Sequence, residues 1–439
     1  MERILLTLAS AVLMHFGTGL HPLWWLTWLA PLPVLFLARR SGPRTAFAAG
    51  TLVWITSQAQ MWPYFTRTLE MPPALAAALI AGPALCFGLA VLLFRALLVR
   101  GRPVLAAAAV PAVWVSAEYV MNLAGPHGAW WSLAYTQADF LPVLQTASVT
   151  GVWGITFLLL FVPASVAALR PRAAVVSGVL VALTLGHGVL RLATPADTAG
   201  RKVALIATDA AEDPVRHYGE AMDAAVAGGA EVVVLPEKVF KTADLPFTRP
   251  GVDVVAGIAL DTNSALAYPS GVRYDKHHMI PGLERRFRPG TSLAFLGGGR
   301  LGLIICKDLD FPGLVREYGK AGVAALLAPA WDFGEDGWLH SRMAVVRGVE
   351  NGFAVARAAR EGLMTVSDNR GRVLAERRSG GTVTAGLPRE GSATVYTALG
   401  DWAAWASAGL LLLALGTTAR LSFRARRGTT TSLPAPSPV

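Results

Sequence analysis

Three residues in the second half of the chain have the types and settings that covalent catalysis needs. Glu237 follows Pro236 directly behind the apolar run 232–235, Lys276 lies in the segment 274–281, and Cys306 follows the apolar run 303–305. A thiol is a weak nucleophile while neutral and needs a base or a depressed pKa. Glu237 can take its proton as general base. Lys276 can hold the oxyanion of a tetrahedral intermediate, where fixed positive charge contributes most because water is excluded. Such a trio splits an amide or ester through a thioester, with neither metal nor organic cofactor. Taken singly, each residue is ordinary: a strand-terminal Cys commonly packs as a small apolar side chain, a Glu after Pro starts a helix, and a lone Lys is solvated. His277 and His278 do not suggest a metal pair, because adjacent side chains point apart and no HxxxH or CxxC partner exists.

These residues must be held by a folded domain, and residues 201–395 have its texture. The runs 203–207, 231–235, 254–259 and 301–305 are short, apolar and β-branched, and the stretches 215–227 and 338–351 read as helices. The alternation predicts an α/β layered domain with one core. Segment 192–200, with Thr, Pro, Asp and Gly, is its linker. Residues 396–401 lead straight into another apolar run.

The rest of the chain belongs to lipid. With 53% hydrophobic residues, 15% charged and 13 Trp, the 439 residues carry more apolar surface than one globular core can hide. Two cysteines cannot build a disulfide framework. The net charge of +10 does not point to nucleic acid, because the arginines sit at the ends of apolar runs instead of in one stripe with aromatics between them. Residues 1–191 are expected to form about seven spans: a hairpin over 4–38 broken at 19–22, then 45–66, 71–94, 104–122, 141–169 and 173–190. An eighth lies at 402–419, within a C-terminal segment 396–427 whose end is basic, and 428–439 reads as a disordered tail. Arg3, Arg39, Arg40, Arg44, Arg95, Arg100, Arg102, Arg170, Arg172, Arg420, Arg424, Arg426 and Arg427 flank the spans on one side, against Arg67 in a short loop on the other and Arg191 at a span end. That bias predicts both termini cytoplasmic and the α/β domain outside the cytoplasmic membrane. The N-terminal stretch lacks a small-residue cleavage site before a soluble domain and is expected to be retained. Glu118, within a span, reads as an interhelical hydrogen-bonding group, Cys86 as packing, and Trp130 and Trp131 as an interfacial belt.

The order Glu237, Lys276, Cys306 in the settings LPE, YDKxxMIPxxE and LIICKD resembles the nitrilase (carbon-nitrogen hydrolase) superfamily. That resemblance implies an αββα sandwich and a Glu-Lys-Cys triad. Trp331 in Pro329-Ala330-Trp331, His340, Arg347 and Glu350 run in the family order. Glu284 matches a further carboxylate assisting Lys276 or the intermediate, and Asp308 stands where the family has a Glu. Membrane features at 24–33, 128–130, 134–137, 151–157 and 400–402 make the whole chain similar to the apolipoprotein N-acyltransferase family, in which such a domain sits between membrane spans. The resemblance implies a fatty acyl chain taken from a phospholipid, held on Cys306, and passed to the N-terminal diacylglyceryl-cysteine of a lipoprotein. Its partners are then membrane lipids, a phospholipid donor and a lipoprotein acceptor. A membrane-tethered amidase, or an acyltransferase for another amine, is the alternative. Three departures stand out: Lys307 replaces an aromatic residue after the nucleophile, Ala207-Thr208-Asp209 replaces a Gln-containing end of the first strand, and the intervals from Glu237 to Lys276 and from Lys276 to Cys306 are short.

Overall fold

The computed structural model describes residues 1–208 and 213–429. Among the described residues its α/β part contains twelve strands: β1 Lys202–Ala207, β2 Val232–Val234, β3 Asp253–Ala259, β4 Asn263–Tyr268, β5 Arg273–Asp275, β6 Ala294–Leu296, β7 Leu301–Leu303, β8 Ala325–Trp331, β9 Ala354–Arg360, β10 Leu363–Ser367, β11 Val373–Arg378 and β12 Gly381–Gly386. They form two six-stranded sheets, ordered β12-β1-β2-β3-β4-β5 and β11-β10-β9-β8-β7-β6. Each has a parallel trio at its heart, β1-β2-β3 in one and β7-β8-β9 in the other, with antiparallel strands at the flanks.

The alternation of side chains along the strands explains the layering. Val203, Leu205, Val232, Val234 and Val255 face Leu301, Leu303, Leu327, Ala356 and Val366 across the inter-sheet core. Ala204, Ile206, Val233, Val254 and Ala256 turn the other way, onto Tyr218 and Met222 of the helix Pro214–Ala227. The helix Gly337–Asn351 covers the second sheet. It is buried along nearly its whole length because Met343, Val345, Val346 and Val349 pack against the membrane part while Ala344 packs inward. The result is an αββα sandwich docked onto a helical membrane portion through this helix and through the turn after β7 and the segment around Arg370.

Among the described residues, four helices are long and apolar enough to cross a membrane: Pro73–Leu98, Pro103–Ala124, Pro171–Leu192 and Trp402–Phe423 of the longer helix Trp402–Thr429. Their outward faces carry exposed residues such as Val175, Val179, Leu183, Leu412 and Leu413, which suit lipid. The other expected spans are shorter or broken. The helices Glu2–Gly17 and Pro43–Gln58 have 16 residues each, and the second half of the expected hairpin divides into Trp24–Leu29 and Leu32–Arg40 at Pro31. The stretch 141–169, expected to be continuous, is three pieces, Leu141–Leu144, Ala147–Thr150 and Val152–Ala168. The second of the two breaks is at Gly151, whose φ is +64° and where a Cβ would lie 2.6 Å from the Tyr396 ring. Of the expected tail, residues 428 and 429 still belong to the last helix, and 430–439 lie outside the described residues.

Candidate active site

Open α/β sheets bind ligands beyond the carboxyl ends of their parallel strands. Glu237 follows β2, Cys306 follows β7 and Trp331 ends β8, so two facing sheets deliver them to one place. The turn carrying Glu237 fits against β3 only because residue 257 is glycine: a Cβ there would sit 2.1 Å from the Pro236 carbonyl oxygen.

Lys276 is fully buried between two carboxylates. Its Nζ donates to Glu237 Oε1 and to Glu284 Oε2, both at 2.8 Å. Asn263 joins the same carboxylates, donating from Nδ2 to Glu237 Oε1 at 2.5 Å and to Glu284 Oε1 at 2.9 Å. Lys238 adds a second ammonium on Glu284 Oε1 at 2.6 Å. Burial alone would raise the Glu237 carboxyl, but Lys238, Lys276 and the hydrogen bonds from Lys276 and Asn263 hold it down at about 2. Lys276 is the mirror case: burial opposes its charge, but Glu237, Cys306 and Glu284 keep it an ammonium well above the usual lysine range. Glu237 Oε2 is buried and has no hydrogen-bond partner among the described residues. One oxygen of this carboxylate is therefore committed to structure and the other is free to accept a proton.

Cys306 sits at φ +41°, a left-handed backbone that only the surrounding structure can impose on a non-glycine residue. Its Sγ lies 3.5 Å from the Trp331 carbonyl oxygen, which accepts the thiol proton. Burial and then Glu237 push the thiol up, against Lys276 and Arg357. The resting group is a neutral thiol beside an ionised carboxylate, a state in which attack and proton transfer must occur together.

Asp308, two residues on, never touches the reacting atoms. Its Oδ2 accepts from Tyr274 Oη at 2.7 Å and His277 N at 3.1 Å, and its Oδ1 from His278 N at 2.8 Å and His278 Nδ1 at 2.9 Å. It thereby clamps the segment bearing Lys276 to the turn bearing Cys306. The Trp331 ring stacks beneath Lys238, 5.0 Å away, and Arg360, 4.4 Å away. Glu350 lies outside this cluster. Its Oε1 accepts from Val152 N at 2.9 Å and its Oε2 from Arg347, which also bonds the Tyr135 hydroxyl and, at 3.0 Å, the Leu309 carbonyl oxygen. It bolts the sandwich to the membrane helices and meets the nucleophile's turn only through Arg347.

A cavity of about 380 Å³ opens beside Cys306 and runs between the helices Pro73–Leu98 and Pro103–Ala124. Lys307, Trp331 and His340 line its polar end, and Leu79, Gly82, Cys86, Trp114 and Met121 its apolar end. Cys86, expected to pack, is thus part of the wall. Glu118 also reaches it, while accepting from Trp114 Nε1, Ser132 Oγ, Leu133 N and Thr156 Oγ1.

Several contacts around the site escaped sequence reasoning, and with them His127, Asp332 and Asp336. Lys307 Nζ lies 3.0 Å from His127 Nδ1 and 3.6 Å from Asp310, so the residue that departs from the family pattern meets the membrane part. Burial, then Lys307, pushes His127 down to about 4, leaving a neutral imidazole to accept from the ammonium. Asp332, Asp336 and His340 bring their ligand atoms within 4.8 Å of one another and could face a metal ion. However, Arg357 bonds both Asp332 oxygens, and Asp336 accepts from Tyr64 Oη at 2.6 Å and Phe333 N at 2.9 Å. The donors are spent on an ion-pair network linking the sandwich to Tyr64, and spacing gave no hint of a contact 272 residues apart.

Comparison with known proteins gives a consistent result. The sequence model for the apolipoprotein N-acyltransferase N-terminal domain matches residues 10–165, and that for carbon-nitrogen hydrolase matches 245–395. An apolipoprotein N-acyltransferase of Geobacter metallireducens is 29% identical over 92% of this chain and 92% of its own length. One from Bradyrhizobium diazoefficiens is 27% identical over 65% of this chain and 68% of its own. Among solved structures, an amidase from a Nesterenkonia species covers 44% of this chain and 91% of its own at 21% identity, with a TM-score of 0.37.

Proposed function

The chain belongs to the apolipoprotein N-acyltransferase family, and from that membership and the site geometry we propose how this membrane acyltransferase N-acylates lipoproteins. Cys306 attacks the ester carbonyl carbon of a phospholipid while Glu237 Oε2 takes the thiol proton. The Lys276 ammonium holds the oxyanion. Collapse breaks the carbon–oxygen bond, the proton passes from Glu237 to the leaving alkoxide, and a lysophospholipid departs from a thioester. The α-amine of a diacylglyceryl-cysteine then attacks that thioester, gives its proton to Glu237, and expels the sulfur, which is reprotonated. The balance needs no water and no cofactor.

The observation that carries this reading is the free oxygen of Glu237 beside a Lys276 that Glu284 and Asn263 fix in place. We assign Glu284 and Asp308 to positioning, Trp331 to the cavity wall, and Glu350 to the junction with the membrane part. The cavity between membrane helices favours a lipid over a soluble amide as the acyl source. Eight crossings with both termini cytoplasmic, and the sandwich facing outward, fit the arginine distribution. Support comes from contacts that gather arginine-rich ends together: Arg40 with Glu2 at 3.2 Å, Arg95 with the Ser41 carbonyl, and Arg100 with Ser422 at 3.0 Å. The test is to incubate the purified chain with a phospholipid and a synthetic diacylglyceryl-cysteinyl peptide. The peptide should gain one fatty acyl mass on its amine, and a peptide that stays unmodified while the lipid is hydrolysed would exclude transfer.

A further inference from the structure

The loop from Pro281 to Pro289 presents two chemistries on its two sides. Inward, Glu284 is buried with both oxygens engaged, accepting from Lys238 and Asn263 on one, and from Lys276 and Ile280 N on the other. Phe287 is buried as well, and Glu284 N and Phe287 N close turns on Ile280 O and Glu284 O at 3.0 and 3.1 Å. Outward, Arg285, Arg286 and Arg288 are exposed. Arg288 pairs with Asp261 at 3.1 Å, and Arg286 rests on the Phe287 ring at 4.6 Å. Neither Arg285 nor Arg286 has an ion-pair partner among the described residues.

The same loop overhangs the cavity. Ile280, Pro281 and Leu283 line it, and Leu283 is 50% exposed at its mouth. Arg285 is only two residues further on, at most about 7 Å of chain. In a phospholipid, the ester that Cys306 must meet is joined to the phosphate through the glycerol alone. An acyl chain in the cavity therefore leaves its headgroup at the mouth, within side-chain reach of the loop that carries Arg285 and Arg286, neither of which lines the cavity or has an ion-pair partner among the described residues. Arginine matches phosphate oxygens in a bidentate fork, and two unpaired guanidiniums favour a headgroup of net negative charge over one, such as phosphocholine, whose own ammonium already neutralises its phosphate. The acceptor is a poorer match, since the group it brings to the sulfur is an amine.

We propose that Arg285 and Arg286 form a headgroup site for an anionic phospholipid, making such lipids the preferred acyl donors. The inference rests on the acyltransferase reading for its purpose, but not for its test, which measures binding without turnover. The full chain carrying Cys306→Ser is titrated in detergent micelles with phosphatidylglycerol and with phosphatidylcholine bearing identical acyl chains. Phosphatidylglycerol should bind more tightly, by a margin that shrinks with added salt. Arg285→Ser with Arg286→Ser should weaken it by about thirtyfold and leave phosphatidylcholine within about threefold. Arg285→Lys with Arg286→Lys should restore most of the preference. Equal binding of the two lipids by the parent, or an equal loss of both in the serine pair, overturns the proposal. In turnover by the Cys306 chain, the serine pair should raise KM for the anionic donor; a rise confined to the acceptor peptide would assign the arginines to the peptide and also overturn it. Absence of acyl transfer with binding as described would instead count against the acyltransferase reading.

Discussion

Gly82 offers a direct test of what fills the cavity. It lines the wall on the helix Pro73–Leu98, and a Cβ built there meets no atom within 4 Å. The lining residues from Ala78 to Cys86 extend the cavity by roughly 12 Å along that helix, so residue 82 faces its middle. Gly82→Leu places four carbon atoms in that space without backbone strain and removes a glycine from a helix interior, which should not weaken the fold. If an acyl chain lies there, the leucine displaces roughly four of its methylenes. At about 0.8 kcal/mol for each buried CH₂, a long-chain donor loses about 3 kcal/mol of binding, or about 200-fold in kcat/KM. A donor roughly four carbons shorter should be used almost as well as before. The assay is competition between phospholipids of one headgroup and graded chain length, with the acylated peptides separated by mass. An unaltered length profile, or an equal loss for every donor, would refute an acyl chain in this cavity.

Three further outcomes follow from the geometry. Glu237→Gln keeps the shape of the side chain but removes the proton acceptor, and acyl transfer should fall by about a thousandfold in a chain that still folds, with a lower melting temperature because buried Lys276 loses a paired charge; normal turnover would exclude Glu237 as base. Asp308→Asn faces its four donors with an amide and should lower stability by about 2 kcal/mol, read as a reduced thermal midpoint, together with a lower kcat at similar KM. Burial would lower His340, but Asp336 and Asp332 raise it from the ordinary 6.5 to about 10. Its stabilisation is therefore whole below pH 6.5 and lost as pH climbs through about 10. Melting temperatures taken across that window should fall with pH in the parent and lose that slope in His340→Gln; the same slope in both would remove His340 as its cause.

The sequence made some of this legible and hid the rest for identifiable reasons. Glu237 and Cys306 announced themselves because each follows a β-branched apolar run, and Glu284 only because it matches a further carboxylate of the family pattern. Asn263, which ties the two carboxylates together, begins β4 in a segment with no distinctive neighbours. The contacts of His127 with Lys307 and of Tyr64 with Asp336 join the membrane part to the sandwich across sequence separations that no periodicity registers. Hydropathy located the apolar stretches, but the break at Gly151 depends on the Tyr396 ring, which arrives from far along the chain. Glu350 followed the family order yet lies at the junction with the membrane part, because Arg347 and Val152 N compete for it there.

The account depends most on Cys306 carrying the fatty group between donor and acceptor. The direct measurement is the mass of the peptide containing Cys306 after the full chain is incubated with phospholipid and no acceptor. One acyl mass is expected on that peptide, released by hydroxylamine, discharged by the diacylglyceryl-cysteinyl peptide, and absent in Cys306→Ser. An unmodified Cys306 in a preparation that acylates the acceptor at full rate would contradict it.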